Sequence, residues 1–194
     1  MSVLPCGLSA VELANILNYT QFNGKIKIRF KDKYFSDSMS SNFVLTLSSV
    51  YANLYDFCAL TICAHELGHA FQFRDNMKKM QNNTRLVKLS KFFSSIINII
   101  LIAGIVCLFL EQYIIGYFLF GFSGISLLIA IISKLSTIKV EKEASKTALE
   151  ILKVYANFTD DELKMANKFL RSAKMTYVAD LLKVMLKWTG LVRR

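Results

Sequence analysis

His65 and His69 stand four residues apart, with Glu66 between them, in the run Ala64-His65-Glu66-Leu67-Gly68-His69. On a helix, residues at that spacing share a face, so both imidazoles can reach one metal ion, and Zn2+ is the ion such a pair suits. Glu66, next to that site, is placed to take a proton from a water beside the metal and later pass it to a leaving amine, which is the chemistry of peptide hydrolysis. These are the only two histidines in the chain, and both fall at ligand spacing. The alternative, two hydrogen-bonded core histidines with a paired glutamate, would bury an ionisable triad with no basic partner nearby in sequence. Gly68 removes a side chain from the neighbouring face, which would let another backbone approach closely.

The background composition sets where such a site would work. The chain has 194 residues, 54% hydrophobic, with a single proline, and this points to an integral membrane protein. Its net charge of +10 could suggest nucleic acid, but the lysines are scattered around apolar segments with no basic block interleaved with aromatics. Membrane topology explains that charge better, since cytoplasmic flanks collect Lys and Arg, and no nucleic-acid partner is expected. Cys6, Cys58, Cys63 and Cys107 show no CxxC spacing, and the first residues carry no basic and apolar pattern of a secretory signal.

Several elements must position the motif. Ser9-Ala10-Val11-Glu12 is a capping box opening a short amphipathic helix over 8–18. Residues 25–30 and 42–47 alternate in polarity and predict two strands, each with one exposed face, separated by a polar loop. The stretch from Asn53 to Arg74 suits a largely buried helix carrying the histidines. Two apolar segments follow, Phe92 to Leu110 and Tyr113 to Leu135, each near the ~20 residues a membrane-crossing helix needs, separated only by Glu111-Gln112. So short a turn implies an antiparallel hairpin. Its outer flanks carry Lys88, Lys91, Lys134, Lys139 and Lys142, while the turn carries only Glu111, so the polar parts are expected on the cytosolic side. Beyond it, a helix is expected to begin near Lys139, and Thr159-Asp160-Asp161-Glu162 caps another that runs towards Trp188. The last part of that helix is amphipathic, suited to a membrane surface or to packing on the hairpin.

Catalytic zinc usually takes three protein ligands, so a carboxylate or a cysteine must complete the pair. Asp75 lies six residues beyond His69, the place of the third ligand in patterns whose helix ends at a glycine, but here that position is Gln72. If the helix continues, Asp75 is about 15 Å along the axis from His65, out of reach of a shared ion. Glu111 is placed across the membrane by the hairpin. Glu141 and Glu143 return to the histidine side; two residues apart on a helix they point about 200° apart, so only one can face the site. Glu141 is preferred, with Glu143 left to an outer layer or to solvent. Cys63, two residues before His65, points away from the shared face, which disfavours a closed four-ligand structural site.

With these residues in view, the chain resembles the YugP-type family of neutral zinc metallopeptidases, membrane proteins of bacteria. The resemblance runs through Gly7-Leu8-Ser9-Ala10-Val11-Glu12, Leu47-Ser48-Ser49-Val50-Tyr51, Ala64 to Gln72, Val140-Glu141-Lys142-Glu143-Ala144-Ser145, Lys168-Phe169-Leu170 and Thr176-Tyr177-Val178-Ala179. It implies a gluzincin-like arrangement in which the Glu of a V-E-x-x-A-S segment, here Glu141, is the third zinc ligand. Members usually carry an additional apolar segment before the first soluble helix, so attachment here is expected to rest on the hairpin, with the C-terminal helix as a second candidate.

The expectation is therefore a mainly α membrane protein with a zincin-like α+β catalytic core and a small two-strand element, interrupted by a two-helix transmembrane hairpin. Residues 1–91 would form the N-terminal part of the cytosolic catalytic domain, 92–135 the hairpin and 136–194 its C-terminal helical part. Zn2+ would be held by His65, His69 and Glu141, with Glu66 as general base and Tyr177 as an oxyanion donor. The expected function is zinc-dependent endopeptidase action on peptide or protein substrates at the cytosolic face of the bacterial plasma membrane, within the lipid bilayer. A substrate could pair with an exposed edge of the strand around Phe43 to Leu47. The rival is an inactive membrane scaffold or regulatory protein that keeps a zinc site.

Overall fold

A computed structural model describes residues 7–34 and 36–188. The chain is mainly helical, in the order α1 (Ala10–Phe22), β1 (Lys27–Lys31), β2 (Ser38–Met39), β3 (Val44–Ser48), α2 (Phe57–Asp75), α3 (Met77–Phe109), α4 (Tyr113–Tyr155) and α5 (Asp160–Trp188). The described residues divide into two compact units, one of 7–80 with 141–173 and the other of 81–140 with 174–188.

The first unit is built around the face of α1. Its capping box forms as the sequence predicts: Ser9 Oγ accepts from the Glu12 N–H, and Glu12 accepts from the Ser9 N–H at 2.7 Å. Leu13, Ala14 and Leu17 are fully buried, and they join Leu45, Leu47, Leu60, Ala64, Leu67, Ala148 and Leu152 in one apolar core. The buried Cys63 thiol donates to the Ala10 carbonyl at 3.2 Å, tying α2 to α1. Asp56 starts α2 by accepting from the Cys58 and Ala59 N–H groups, which uses donors that would otherwise have no partner in the first turn.

The sheet corrects two expectations. It has three strands, not two, in the order β1-β3-β2, with β2 formed by Ser38 and Met39 inside the stretch expected to be loop. The turn that joins β2 to β3 places Phe43 at φ 56°, and Ser40 N–H donates to the Val44 carbonyl at 3.0 Å. β1 pairs with β3 in parallel, Lys27 opposite Val44 through Lys31 opposite Ser48, while β2 runs antiparallel on the other side, Met39 opposite Leu45. The strand around Phe43 to Leu47 is therefore central, with no free edge for an extended peptide; the edges belong to β1 and β2. Leu45 and Leu47 are buried, so one face of the sheet closes the core.

In the second unit, α3 and α4 are joined through Leu110–Gln112, with Glu111 at φ 60°. Both are long and apolar enough to cross a membrane, and only 12% and 22% of their apolar windows is covered by the rest of the protein. A soluble-core hairpin would cover those faces. Near the turn they pack through glycines: a Cβ on Gly116 would lie 2.6 Å from the Leu108 side chain, and one on Gly104 would lie 3.3 Å from Leu119 Cβ. The helix expected to begin near Lys139 is instead the continuation of α4, which runs unbroken from Tyr113 to Tyr155. No glycine or proline interrupts it between Ser126 and Tyr155.

Candidate metal centre

The histidines project from the middle of α2, on the turn that packs against α4. Contact between the two helices is set by small residues, since Gly68 and Ala144 meet backbone to backbone. A Cβ on Gly68 would stand 2.5 Å from the Ala144 carbonyl oxygen, so no other residue permits this approach. Glu141 lies one turn before Ala144 on the same helix face and reaches the histidines.

His65 Nε2 is 3.1 Å from one Glu141 carboxylate oxygen, and His69 Nε2 is 3.8 Å from the other. One donor atom from each of the three residues lies within 4.8 Å of the others, the one such three-residue group among the described residues. Tetrahedral zinc with bonds near 2.0–2.1 Å keeps its ligand atoms about 3.3 Å apart, so the two distances bracket the required spacing. Two imidazoles and a carboxylate are also the right chemistry and number for catalytic zinc, and the residues fit the ion. The side chains of His65, His69 and Glu141 are 16%, 14% and 14% exposed, buried enough to be held yet open to a substrate.

The far nitrogens of both rings are engaged. Nδ1 of His69 is 2.9 Å from Gln72 Oε1, so in the neutral ring this acceptor favours the proton on Nδ1 and leaves Nε2 free to bind a metal. Ser145 Oγ stands 3.5 Å from His65 Nδ1 and donates to the Glu141 carbonyl at 2.8 Å, linking one histidine to the helix that carries Glu141. The Met39 backbone N–H lies beside Glu66 and favours its carboxylate form, which sets the edge strand β2 next to the proposed base.

Electrostatics follows from this packing. Burial pushes the Glu66 carboxyl above the usual range, only partly offset by His69, His65 and the Met39 N–H. Burial acts in the same direction on Glu141, but the hydrogen bond from His65 and the positive charge of the two nearby imidazoles outweigh it and hold Glu141 at about 2. For His69, burial favours the neutral ring, yet the nearby Glu141 carboxylate, the charge of Glu66 and the Gln72 bond prevail and raise its pKa. Zinc needs the neutral ring. Because His69 is drawn towards its charged form, zinc uptake should release a proton below the raised value, a release that shrinks as pH rises through it. Calorimetric titration with zinc in two buffers of different protonation enthalpy checks this; an enthalpy independent of buffer would contradict it.

The remaining candidates fall elsewhere. Asp75 is exposed and pairs with Arg74 at 2.7 Å. Glu143 is half exposed and pairs with Lys79 at 2.7 Å. Glu111 occupies the turn between α3 and α4. Cys63 is fully buried against Ala10 and offers no fourth ligand. Tyr177 belongs to α5, but its side chain lies outside the described residues. Sequence reasoning missed Met39, for which a two-residue strand gives no periodic signal, and passed over Gln72, although three residues after His69 on a helix is contact distance.

No solved structure matches this chain. A relative from Bacillus subtilis (strain 168), named "Putative membrane protease YugP", is 27% identical over 121 residues, covering 62% of this chain. The chain spans about half the length of that curated relative, 51%. A family model described as "Putative neutral zinc metallopeptidase" matches residues 6–193, and the chain belongs to that family.

Proposed function

We propose that the protein is a membrane-embedded zinc endopeptidase with a zincin-like core, active at the cytosolic membrane face, in which His65, His69 and Glu141 hold the metal and Glu66 is the general base. The observation that carries this reading is the convergence of the three donors beside a buried glutamate that is not one of them. Zinc bound there would supply Lewis acidity, polarising the scissile carbonyl and acidifying water. Glu66 takes the proton of the attacking water and delivers it to the leaving amine, and its upward-shifted pKa suits both halves of that transfer. The Met39 N–H beside Glu66 favours its carboxylate form, and Gln72 and Ser145 orient the imidazoles. A peptide substrate is proposed to lie along β2, the edge strand beside Glu66, in place of the central β3.

Two apolar helices with mostly uncovered faces support a bilayer-crossing hairpin, and their basic outer flanks support a cytosolic site. An inactive scaffold with a structural zinc would need a fourth protein ligand, and the described residues gather only three. The test is metal removal. Purified protein in nanodiscs should cleave a degenerate peptide mixture, lose that activity on chelation and regain it with stoichiometric zinc. Cleavage that survives full removal of metal, or none by a zinc-loaded protein, would overturn the assignment.

A further inference from the structure

Two elements that build the candidate metal centre continue past it and meet again. Phe73 follows His69 by four residues on α2, on the same face and about 6 Å further along the axis. Met39, beside Glu66, and Phe43 belong to one hairpin, at either end of the turn from β2 to β3. Phe73 and Phe43 come together with Phe22 and Met77 around a cavity of about 330 Å³, which lies wholly within the unit that holds the centre. Lys25 and Arg74 also line it, and no carboxylate does. Arg74 is held in place, its guanidinium 5.4 Å from the Phe22 ring and donating to the Gln21 carbonyl at 3.2 Å. Lys25 is exposed and forms no ion pair among the described residues.

Phe43 is the costly part of this cavity. Its φ of 56° lies in the left-handed region, where glycine or asparagine sits easily and a bulky side chain is strained. Its ring meets Phe22, with centroids 6.1 Å apart, yet stays only half-buried. Core packing alone does not call for an aromatic in that conformation; a side chain to be gripped does.

We infer that this cavity selects the substrate: it takes one large apolar side chain, aromatic or long aliphatic, about two residues from the bond that is cut, and turns away lysine and arginine. This rests on the peptidase reading above, because the cavity matters only if a peptide crosses the metal centre. An extended peptide advances about 3.3 Å per residue, so the step from His69 to Phe73 spans about two residues. Phe22, Phe43, Phe73 and Met77 supply the apolar lining, while Lys25 and Arg74 repel a basic side chain. Burying a Phe or Leu side chain there favours its peptide about tenfold or more over one with alanine.

The experiment uses full-length, zinc-loaded protein in nanodiscs and alanine-rich decapeptides that differ at one position, Phe, Leu, Ala or Lys, with the cut bond read by mass spectrometry. The Phe and Leu peptides should be cut at a constant offset from that residue and at least about tenfold faster than the Ala peptide, with Lys slowest. Phe43→Gly accepts the left-handed backbone without strain, and Met77→Trp fills the cavity from another side. Each should lower the Phe-over-Ala ratio several-fold at unchanged zinc content. Lys cut as fast as Phe, or a ratio unchanged in both variants, would overturn the inference. So would loss of co-purifying phospholipid from the Phe43→Gly protein with the ratio unaltered, which would give the cavity to an acyl chain. No cleavage of any peptide defeats the peptidase reading itself, whereas cleavage without preference defeats only the subsite.

Discussion

Replacing Glu66 with Gln should lower peptide cleavage by roughly 10²–10⁴-fold while zinc content stays that of the unmodified protein. Glutamine has the same shape, but it cannot accept a proton from water. It is also not among the three metal donors, so the site should load normally. Stability separates this loss from a folding defect. Burial works against the ionised form of Glu66, and a neutral amide avoids that penalty. The variant should therefore melt no lower than the parent. A Glu66→Gln protein that cleaves as fast as the parent would remove the proposed base; one that melts lower or loses zinc would show that Glu66 has a structural role.

Gly68→Ala should have the second-largest effect, at a residue that touches neither metal nor substrate. Its new Cβ would stand 2.5 Å from the Ala144 carbonyl oxygen, a backbone atom with no rotamer to escape into. Restoring van der Waals contact requires α2 and α4 to separate by roughly 1 Å. Glu141 lies one turn before Ala144, so the carboxylate retreats from the two imidazoles. A displacement of that size typically costs about 10²-fold in turnover, and overpacking costs about 1–3 kcal/mol of stability. Zinc affinity, read by competition with a fluorescent chelator, should fall with activity. Gly121→Ala is the control, since a Cβ there meets nothing within 4 Å and glycine is the poorer helix former. Equal zinc affinity in the Gly68→Ala protein and the parent would mean that helix contact does not set the position of Glu141.

Much of this was legible because it depends on local chemistry. Capping boxes at Ser9 and Thr159 need only four consecutive residues, and both form. The histidine helix and the two apolar segments follow from period and length. Gly68 could be recognised as a close-approach position, although its partner Ala144 lies far along the chain. What was hidden depends on pairing between distant segments. Alternation marks β1 and β3 as strands but does not say that they run parallel, and it leaves β2 invisible because two residues carry no period. For that reason β3 was expected to offer a free edge, which it does not have. Likewise the end of the second apolar segment suggested that a new helix begins near Lys139, whereas helix-forming Lys and Glu simply carry α4 onward. In the centre itself, the candidate residue types and their spacing could be read from sequence; the hydrogen bonds of Gln72 and Ser145 and the approach of Met39 came only with three-dimensional packing.

The most direct measurement is the zinc coordination sphere, from a structure of the zinc-loaded protein with anomalous data at the zinc edge. The account predicts one ion held by Nε2 of His65, Nε2 of His69 and a carboxylate oxygen of Glu141, with Glu66 close by but not bound. Zinc held without Glu141, or closed by a fourth protein ligand, would contradict it.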